Sequence, residues 1–273
     1  MEGMESALDA LSAKVPNHSK GEYMGDDGFL HCPVCNGKLQ TEIDFLGKKK
    51  IVRCVCKCVA REREAQKERE RKEAIERKRK VCFAESNMSE WNFANDDRNK
   101  PKISDAMKRY VENFDDFRKN GRGILLWGSV GTGKTYYAAS VANALIDEGY
   151  SVLMTNFARL SNQLQGTWDK NEIIDDLNRY ALIILDDLGA ERKSEYMQEV
   201  VFSIIDSRYR TGLPFFVTTN LSIEEIKKPA DISCSRIYDR ILERCFPIEI
   251  NGESRRRKNV IDTFYDTKEI LGL

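Results

Sequence analysis

Gly128-Ser129-Val130-Gly131-Thr132-Gly133-Lys134-Thr135 fits the pattern G-x-x-x-x-G-K-[ST], and its flanks are those the pattern needs. Upstream, Ile124-Leu125-Leu126-Trp127 is a short apolar run that reads as a buried strand. Downstream, residues 136–148 carry Ala138, Ala139, Val141, Ala142, Leu145 and Ile146 at helical spacing. A strand, a glycine-rich turn and a helix start, in that order, make an anion site. The glycines let backbone N–H groups turn inward on phosphates, and the helix N-terminus adds partial positive charge. Lys134 is placed to reach the β- and γ-phosphates of ATP, and the Thr135 hydroxyl to hold Mg²⁺. The stretch, with Tyr136 after it, is a nucleotide site.

Such a site requires a second strand that delivers an acid. Ala181-Leu182-Ile183-Ile184-Leu185-Asp186-Asp187 supplies one: an apolar run ending in two carboxylates, with Gly189 after them. Asp186 is placed to bind Mg²⁺ and Asp187 to polarise the attacking water. Between these motifs, 150–154 reads as a strand, and 156–165 and 172–180 as helices. Beyond them, 195–210 is a helix with Met197, Val200, Val201, Ile204 and Ile205 on one side. Residues 213–218 form a further buried strand ending in Thr218-Thr219-Asn220. A polar side chain leaving that tip lies near the γ-phosphate if the strand sits between the first and third. Residues 235–243 are helical, with Arg236, Arg240 and Arg244 at i, i+4 and i+8 as a stripe of cations. The last strand is 245–250, and Glu253-Ser254-Arg255-Arg256-Arg257-Lys258 opens a final helix. Ahead of the first strand, 103–117 reads as one amphipathic helix. Phe83, Trp91 and Phe93 form an aromatic segment that either flanks the adenine or packs in the core.

The front of the chain has a different chemistry. Lys+Arg and Asp+Glu are both 44, so net charge says nothing about partners. No run of about 18 apolar residues suggests a membrane span, and the N-terminus lacks the apolar stretch of a secretory signal. The eight cysteines are therefore expected in a reducing cytoplasm, where clusters mean metal more often than disulfides. Cys32-Pro33-Val34-Cys35 precedes the turn signal Asn36-Gly37, and Cys54-Val55-Cys56-Lys57-Cys58 lies about twenty residues on. Residues 41–45 and 50–55 between them read as a hairpin. Cysteine pairs at the ends of a hairpin match tetrahedral zinc with four thiolates, and so small a unit needs metal to fold. Five cysteines compete for four places, and in an extended strand Cys54, Cys56 and Cys58 point the same way. His31 reads as a bystander. Residues 60–80 are nearly all Arg, Lys and Glu, with Glu68/Lys72, Glu73/Arg77 and Glu76/Lys80 at i,i+4. This reads as an exposed helical spacer, whose Arg77-Lys78-Arg79-Lys80 run could touch nucleic-acid phosphates.

Taken together, these motifs resemble the AAA+ ATPases of the DnaC/DnaI helicase-loader family over residues 32–258. GSVGTGKT matches Walker A, LIILDDLG matches Walker B, and TTN ending at Asn220 looks like sensor 1. SRIYDRILERC resembles the segment that carries the family's arginine finger, which falls on Arg240. GESRRRK resembles the sensor-2 element and implies Arg256, although Arg255 stands where an aromatic residue is usual. By the same alignment the zinc ligands are Cys32, Cys35, Cys56 and Cys58, with Cys54 the extra.

The resemblance implies an α/β P-loop AAA+ domain with a five-stranded parallel sheet, preceded by a small zinc-binding domain. The expected division is an arm over 1–27, the zinc domain over 28–59, a charged linker over 60–81 and the ATPase domain over 82–273. The implied activity is slow, oligomer-dependent hydrolysis of ATP with Mg²⁺. The implied partners are a replicative hexameric helicase, single-stranded DNA and further copies of the chain, with no membrane. An IstB-type transposition helper shares the ATPase core and is the alternative.

Overall fold

The computed structural model describes residues 2–16, 21–84, 86–165, 170–189, 195–229, 231–255, 264 and 267–271. Contacts divide the chain into two compact units, Met1–Ala74 and Ile75–Leu273.

The first unit holds α1 (Glu2–Ala13), the short antiparallel pair β1 (Tyr23–Met24) and β2 (Leu30–His31), and a hairpin of β3 (Gln40–Phe45) and β4 (Lys48–Arg53). Gln40 pairs with Arg53 and Phe45 with Lys48, so two residues make the turn. Both, Leu46 and Gly47, have positive φ (55° and 76°), as the tightest hairpin turns demand. One face of the hairpin carries Ile43, Phe45 and Val52, half-buried, and the fully buried core of this unit among the described residues is Cys32, Leu39, Cys56 and Val59. The second strand ends at Arg53, and α2 (Lys57–Phe83) begins at Lys57. Cys54, Cys56 and Cys58 therefore do not share one extended strand, and the expectation that they point alike does not hold.

In α2 the charged stretch is exposed, as its composition requires. Its last turns are not. Cys82 and Phe83 are buried in the core of the second unit, with Ile75 packed against it. The contact division accordingly falls at Ala74/Ile75 rather than at 81/82. Of the basic run, Lys78 donates to the Gly149 carbonyl, while Arg79 pairs with Asp147 and donates to Asn143 Oδ1 at 3.2 Å. Those two cations are occupied by protein.

The second unit continues with α3 (Pro101–Glu112), α4 (Phe114–Lys119), β5 (Gly123–Trp127), α5 (Lys134–Asp147), β6 (Val152–Asn156), α6 (Phe157–Gln165), α7 (Lys170–Leu177) and β7 (Leu182–Leu188). It closes with α8 (Glu195–Thr211), β8 (Phe215–Thr219), α9 (Ile223–Lys227), α10 (Ile232–Arg244) and β9 (Cys245–Glu249). The strands form the expected five-stranded parallel sheet, in the order β6-β7-β8-β5-β9. Near-continuous apolar runs suit strands covered on both faces. Alternation assigns the faces: Ile124, Leu126, Ile184 and Phe216 pack with α3 and α5, whereas Leu125, Ile183, Leu185 and Val217 pack with α6, α8 and α10.

The single helix expected over 103–117 is two. Asn113 directs both its backbone N–H (3.1 Å) and its Nδ2 (2.8 Å) to the Arg109 carbonyl, which ends α3. The chain restarts at Phe114, which is 1% exposed. The final helix expected from 253 falls mostly outside the described residues. Among the described residues no helix is long and apolar enough to cross a membrane.

Because Phe83 lies in the ATPase core, Phe83→Ala should destabilise that unit by about 3–5 kcal/mol in urea unfolding. Glu68→Ala, on the exposed part of the same helix, should stay within about 0.5 kcal/mol. Equal effects would place the end of α2 outside the core.

Candidate functional site

The sheet order sets the geometry. β8 lies between β7 and β5, so their C-terminal ends deliver side chains to one place. A pocket of about 470 Å³ opens there, lined by Val130 to Tyr136 of the loop, Asp186, Asp187, Thr218, Asn220, Met88, Trp91 and Arg255.

The loop needs its glycines for close approach. A Cβ on Gly128 (φ 138°) would come within 2.4 Å of the Ile250 carbonyl oxygen, and one on Gly131 (φ 82°) within 2.1 Å of Ser254 Oγ. The segment after β9 thus lies against the loop, and the Arg255 N–H donates to the Gly131 carbonyl at 3.0 Å. Lys134 is 6% exposed. Its Nζ donates to the carbonyls of Gly128 (3.0 Å) and Ser129 (2.8 Å) and to Asn220 Oδ1 (2.8 Å).

The two acids occupy a break in the sheet. The register of β7 against β8 shifts between Leu185 and Leu188, and Asp187 adopts a left-handed φ of 63°. Asp is among the non-glycine residues that tolerate this region. Thr218 organises the bulge: its hydroxyl donates to Asp186 Oδ1 at 2.6 Å and accepts the Asp187 N–H at 2.9 Å. Thr219 Oγ1 donates to the Leu188 carbonyl at 2.6 Å, and Asn220 Nδ2 donates to Asp187 Oδ1 at 2.7 Å. Asn220 therefore bridges Lys134 and Asp187. Burial raises the Asp186 pKa, opposed by hydrogen bonds from Thr218 and Thr135, and the neighbouring Asp187 charge raises it further.

Of the residues expected from sequence, Lys134, Thr135, Asp186, Asp187 and Asn220 converge. Arg240 does not reach this pocket. Its guanidinium pairs with Asp206 at 2.6 Å and lies over the rings of Phe202 (4.7 Å) and Tyr209 (5.5 Å) on α8. Arg256 lies outside the described residues. Arg255, whose position had counted against the sensor-2 alignment, lines the pocket and pairs with Asp97 at 2.6 Å. Trp91 and Met88 were not separable by sequence from ordinary core residues. Here Asn143 Nδ2 donates to both their carbonyls (2.8 and 3.0 Å), and Tyr136 OH donates to the Asn92 carbonyl at 2.7 Å.

In the first unit, the sulfurs of Cys32, Cys35, Cys56 and Cys58 lie within 4.8 Å of one another. Tetrahedral zinc with Zn–S bonds of about 2.3 Å needs sulfurs about 3.8 Å apart, so the four thiols fit that ion. The Cys56 and Cys58 sulfurs are 3.1 Å apart, and those of Cys32 and Cys58 are 3.5 Å apart. Backbone N–H groups of Cys58 and Gly37 pull the Cys35 thiol down to about 6, toward the thiolate a metal takes. Cys54 sits apart from the cluster, its thiol donating to the Lys38 carbonyl at 3.4 Å. Both ring nitrogens of His31 are engaged, Nδ1 with the Asn36 carbonyl (2.9 Å) and Nε2 with Asp27 (3.0 Å).

Residues 46–263 match the family described as IstB-like ATP binding protein. The replicative helicase loader DnaI of Bacillus subtilis is 28% identical over 167 residues, covering 56% of this chain and 52% of that protein. An insertion sequence ATP-binding protein of Sinorhizobium fredii is 30% identical over 167 residues, covering 59% and 56%. This chain spans about half the length of these curated relatives. A crystal structure of the DnaI superposes with a TM-score of 0.55 at 28% identity, covering 66% of this chain and 99% of that one. With that match, this sheet order and a phosphate loop facing paired acids, the chain belongs to the IstB-like ATP-binding family of AAA+ ATPases.

Proposed function

We propose that the protein is an ATP-dependent loader that delivers a replicative hexameric helicase onto single-stranded DNA in the cytoplasm. The observation that carries this reading is the four-sulfur cluster in the unit ahead of the ATPase domain. The loader pattern has such a module, whereas transposition helpers generally lack it. In this reading the front unit and the charged helix engage the helicase, the ATPase domain engages DNA, and ATP times capture and release. The second reading, a transposition helper acting on target DNA, is favoured by the family match itself and by the insertion-sequence relative.

The pocket residues divide the ATPase work. Lys134 binds the β- and γ-phosphates through its ammonium. Thr135 and Asp186 are the residues that would hold Mg²⁺, which when bound neutralises charge between those phosphates. Asp187 orients and polarises the attacking water, and Asn220 ties it to Lys134. Met88 and Trp91 border the side where the base would lie. Arg256 is the sensor-2 residue the resemblance implies, and Arg255 just before it lines this pocket. Arg240 acts in trans on a neighbouring copy's nucleotide. The zinc ion would be structural, since four thiolates leave no open position for water.

Three tests follow from these roles. Lys134→Ala should weaken ATP binding roughly tenfold to a hundredfold, the equivalent of one or two charge-assisted hydrogen bonds. Asp187→Asn keeps a residue that tolerates left-handed φ, so it should bind ATP and fail to hydrolyse it. Arg240→Ala should bind normally and lose on the order of 10³-fold or more in turnover. Mixed with Asp187→Asn it should recover activity, because each supplies what the other lacks at a shared interface. Normal hydrolysis by the first two variants would sink the site assignment, and no recovery in the mixture would sink the trans role.

Metal analysis should find about one zinc per chain, in a closed sulfur shell. Cys56→Ser should release it and unfold the front unit, while Cys54→Ser should retain it. The reverse pattern would reassign the ligands. The loader reading itself is tested by pull-down and loading assays with the replicative helicase of the same genome. ATP-dependent complex formation and delivery to single-stranded DNA are expected. Absence of helicase binding, with ATP-dependent assembly on duplex DNA, would favour the transposition helper.

A further inference from the structure

The edge of the sheet opposite β6 carries a second cavity, of about 640 Å³, away from the nucleotide pocket. It lies between α3, α4 and β9. Its walls include Met107, Tyr110, Phe117, Leu242, Pro247 and Ile248. A volume of this size is within the range of ligand sites, which are apolar with a few placed polar groups.

Three features narrow what can fill it. The Tyr110 side chain is 2% exposed, and its hydroxyl has no hydrogen-bond partner among the described residues. That oxygen is closed to solvent, so Tyr110 adds apolar wall to the cavity and no polar group. The lining is also electropositive, with Arg109, Arg122 and Arg244 against Glu243 alone. Glu243 already takes the Tyr209 hydroxyl at 2.9 Å, and Arg244 lies over the Tyr209 ring at 4.7 Å. Arg109 and Arg122 are exposed and make no ion pair among the described residues. Beside them Phe246 is 68% exposed, extending the apolar surface outward.

The edge strand limits how a partner docks. The Ile250 N–H reaches inward to the Trp127 carbonyl, so by alternation Pro247 and Glu249 face the open edge. Proline has no N–H to offer there, and an added strand would lose a ladder bond at that position. Docking must therefore rest on side chains entering the cavity. Nucleic acid is the weaker fit, because single-strand grooves follow a continuous line of cations past stacked aromatics. Here two arginines without ion pairs among the described residues flank an apolar cavity.

We propose that this cavity is a docking site for an acidic peptide segment of a partner protein, with large apolar anchors filling the cavity. Carboxylates of the segment pair with Arg109 and Arg122. This does not depend on which reaction the nucleotide pocket serves.

The test uses the full chain and a fluorescent synthetic peptide carrying Phe and Leu one helical turn apart among glutamates. A control peptide has lysine at every glutamate. The acidic peptide should bind saturably and the lysine peptide should not. Arg109→Glu with Arg122→Glu should weaken the acidic peptide at least about tenfold and let the lysine peptide bind. Ala106→Trp, which adds bulk in the cavity wall, should abolish binding, and all these variants should retain ATP hydrolysis. No saturable binding to the wild-type chain overturns the proposal, as does binding indifferent to both sets of substitutions. Oligothymidine binding lost in the same variants would make this a nucleic-acid surface instead. Self-association lost in them, seen by sedimentation, would assign it to a second copy. Either result overturns the peptide reading.

Discussion

The pairing of the two acids at the nucleotide site turns on one hydroxyl. Thr218, at the end of the strand between β5 and β7, gives its proton to Asp186 and takes the N–H of Asp187. A regular parallel ladder would send successive side chains to opposite faces of the sheet, so adjacent acids could not serve one pocket. The register break between Leu185 and Leu188 removes that restriction. Its cost is a left-handed residue and a disrupted ladder, offset by the hydroxyls of Thr218 and Thr219, which take up the freed backbone groups. Asn220 then links the second acid to the phosphate-loop lysine. Acid, amide and ammonium form one connected network, and a change at any member is felt by the others.

Much of this was legible beforehand, and for identifiable reasons. Buried parallel strands are unbroken apolar runs, so β5, β7 and β8 were readable within a residue or two, as was the helix after the loop. The phosphate loop is read from its residues because only backbone N–H groups and glycines make that cradle. Not legible was the bulge. Nothing in Leu185-Asp186-Asp187-Leu188 announces a register shift, because the shift is made by a threonine on a neighbouring strand some thirty residues away. The same limit applies to Arg255 and Trp91. Both reach the pocket through segments whose placement depends on tertiary contacts, Arg255 with Asp97 and Trp91 with Asn143.

The cysteines show a different limit. Strand periodicity offered no choice among Cys54, Cys56 and Cys58 because it assumed that the strand continued. The chain leaves β4 at Arg53 and enters a helix at Lys57, and that change of direction separates Cys54 from the cluster. Asn113 misled in the same way. It lies inside the helical pattern of 103–117, yet its side chain doubles up on the Arg109 carbonyl and ends the helix. Binary pattern predicts faces well and predicts interruptions badly, because an interruption is one hydrogen bond rather than a stripe.

The placement of Arg240 bears on the timing of hydrolysis in the proposed loader. Within one chain this guanidinium is held by Asp206 and by two rings of α8. Reaching a neighbour's nucleotide means giving up an ion pair worth up to about 1 kcal/mol and cation–π contacts of about 0.5–1 kcal/mol each. Asp206 would not be stranded by the move, since Arg210 holds its other oxygen at 2.7 Å. The resting arrangement is thus favoured by a few kcal/mol, and no buried charge blocks departure. A transferring phosphoryl group on an adjacent copy is a stronger counter-charge than a carboxylate that already has a partner. In the proposed loader, an arginine parked in this way would keep the isolated chain slow and let assembly switch it on.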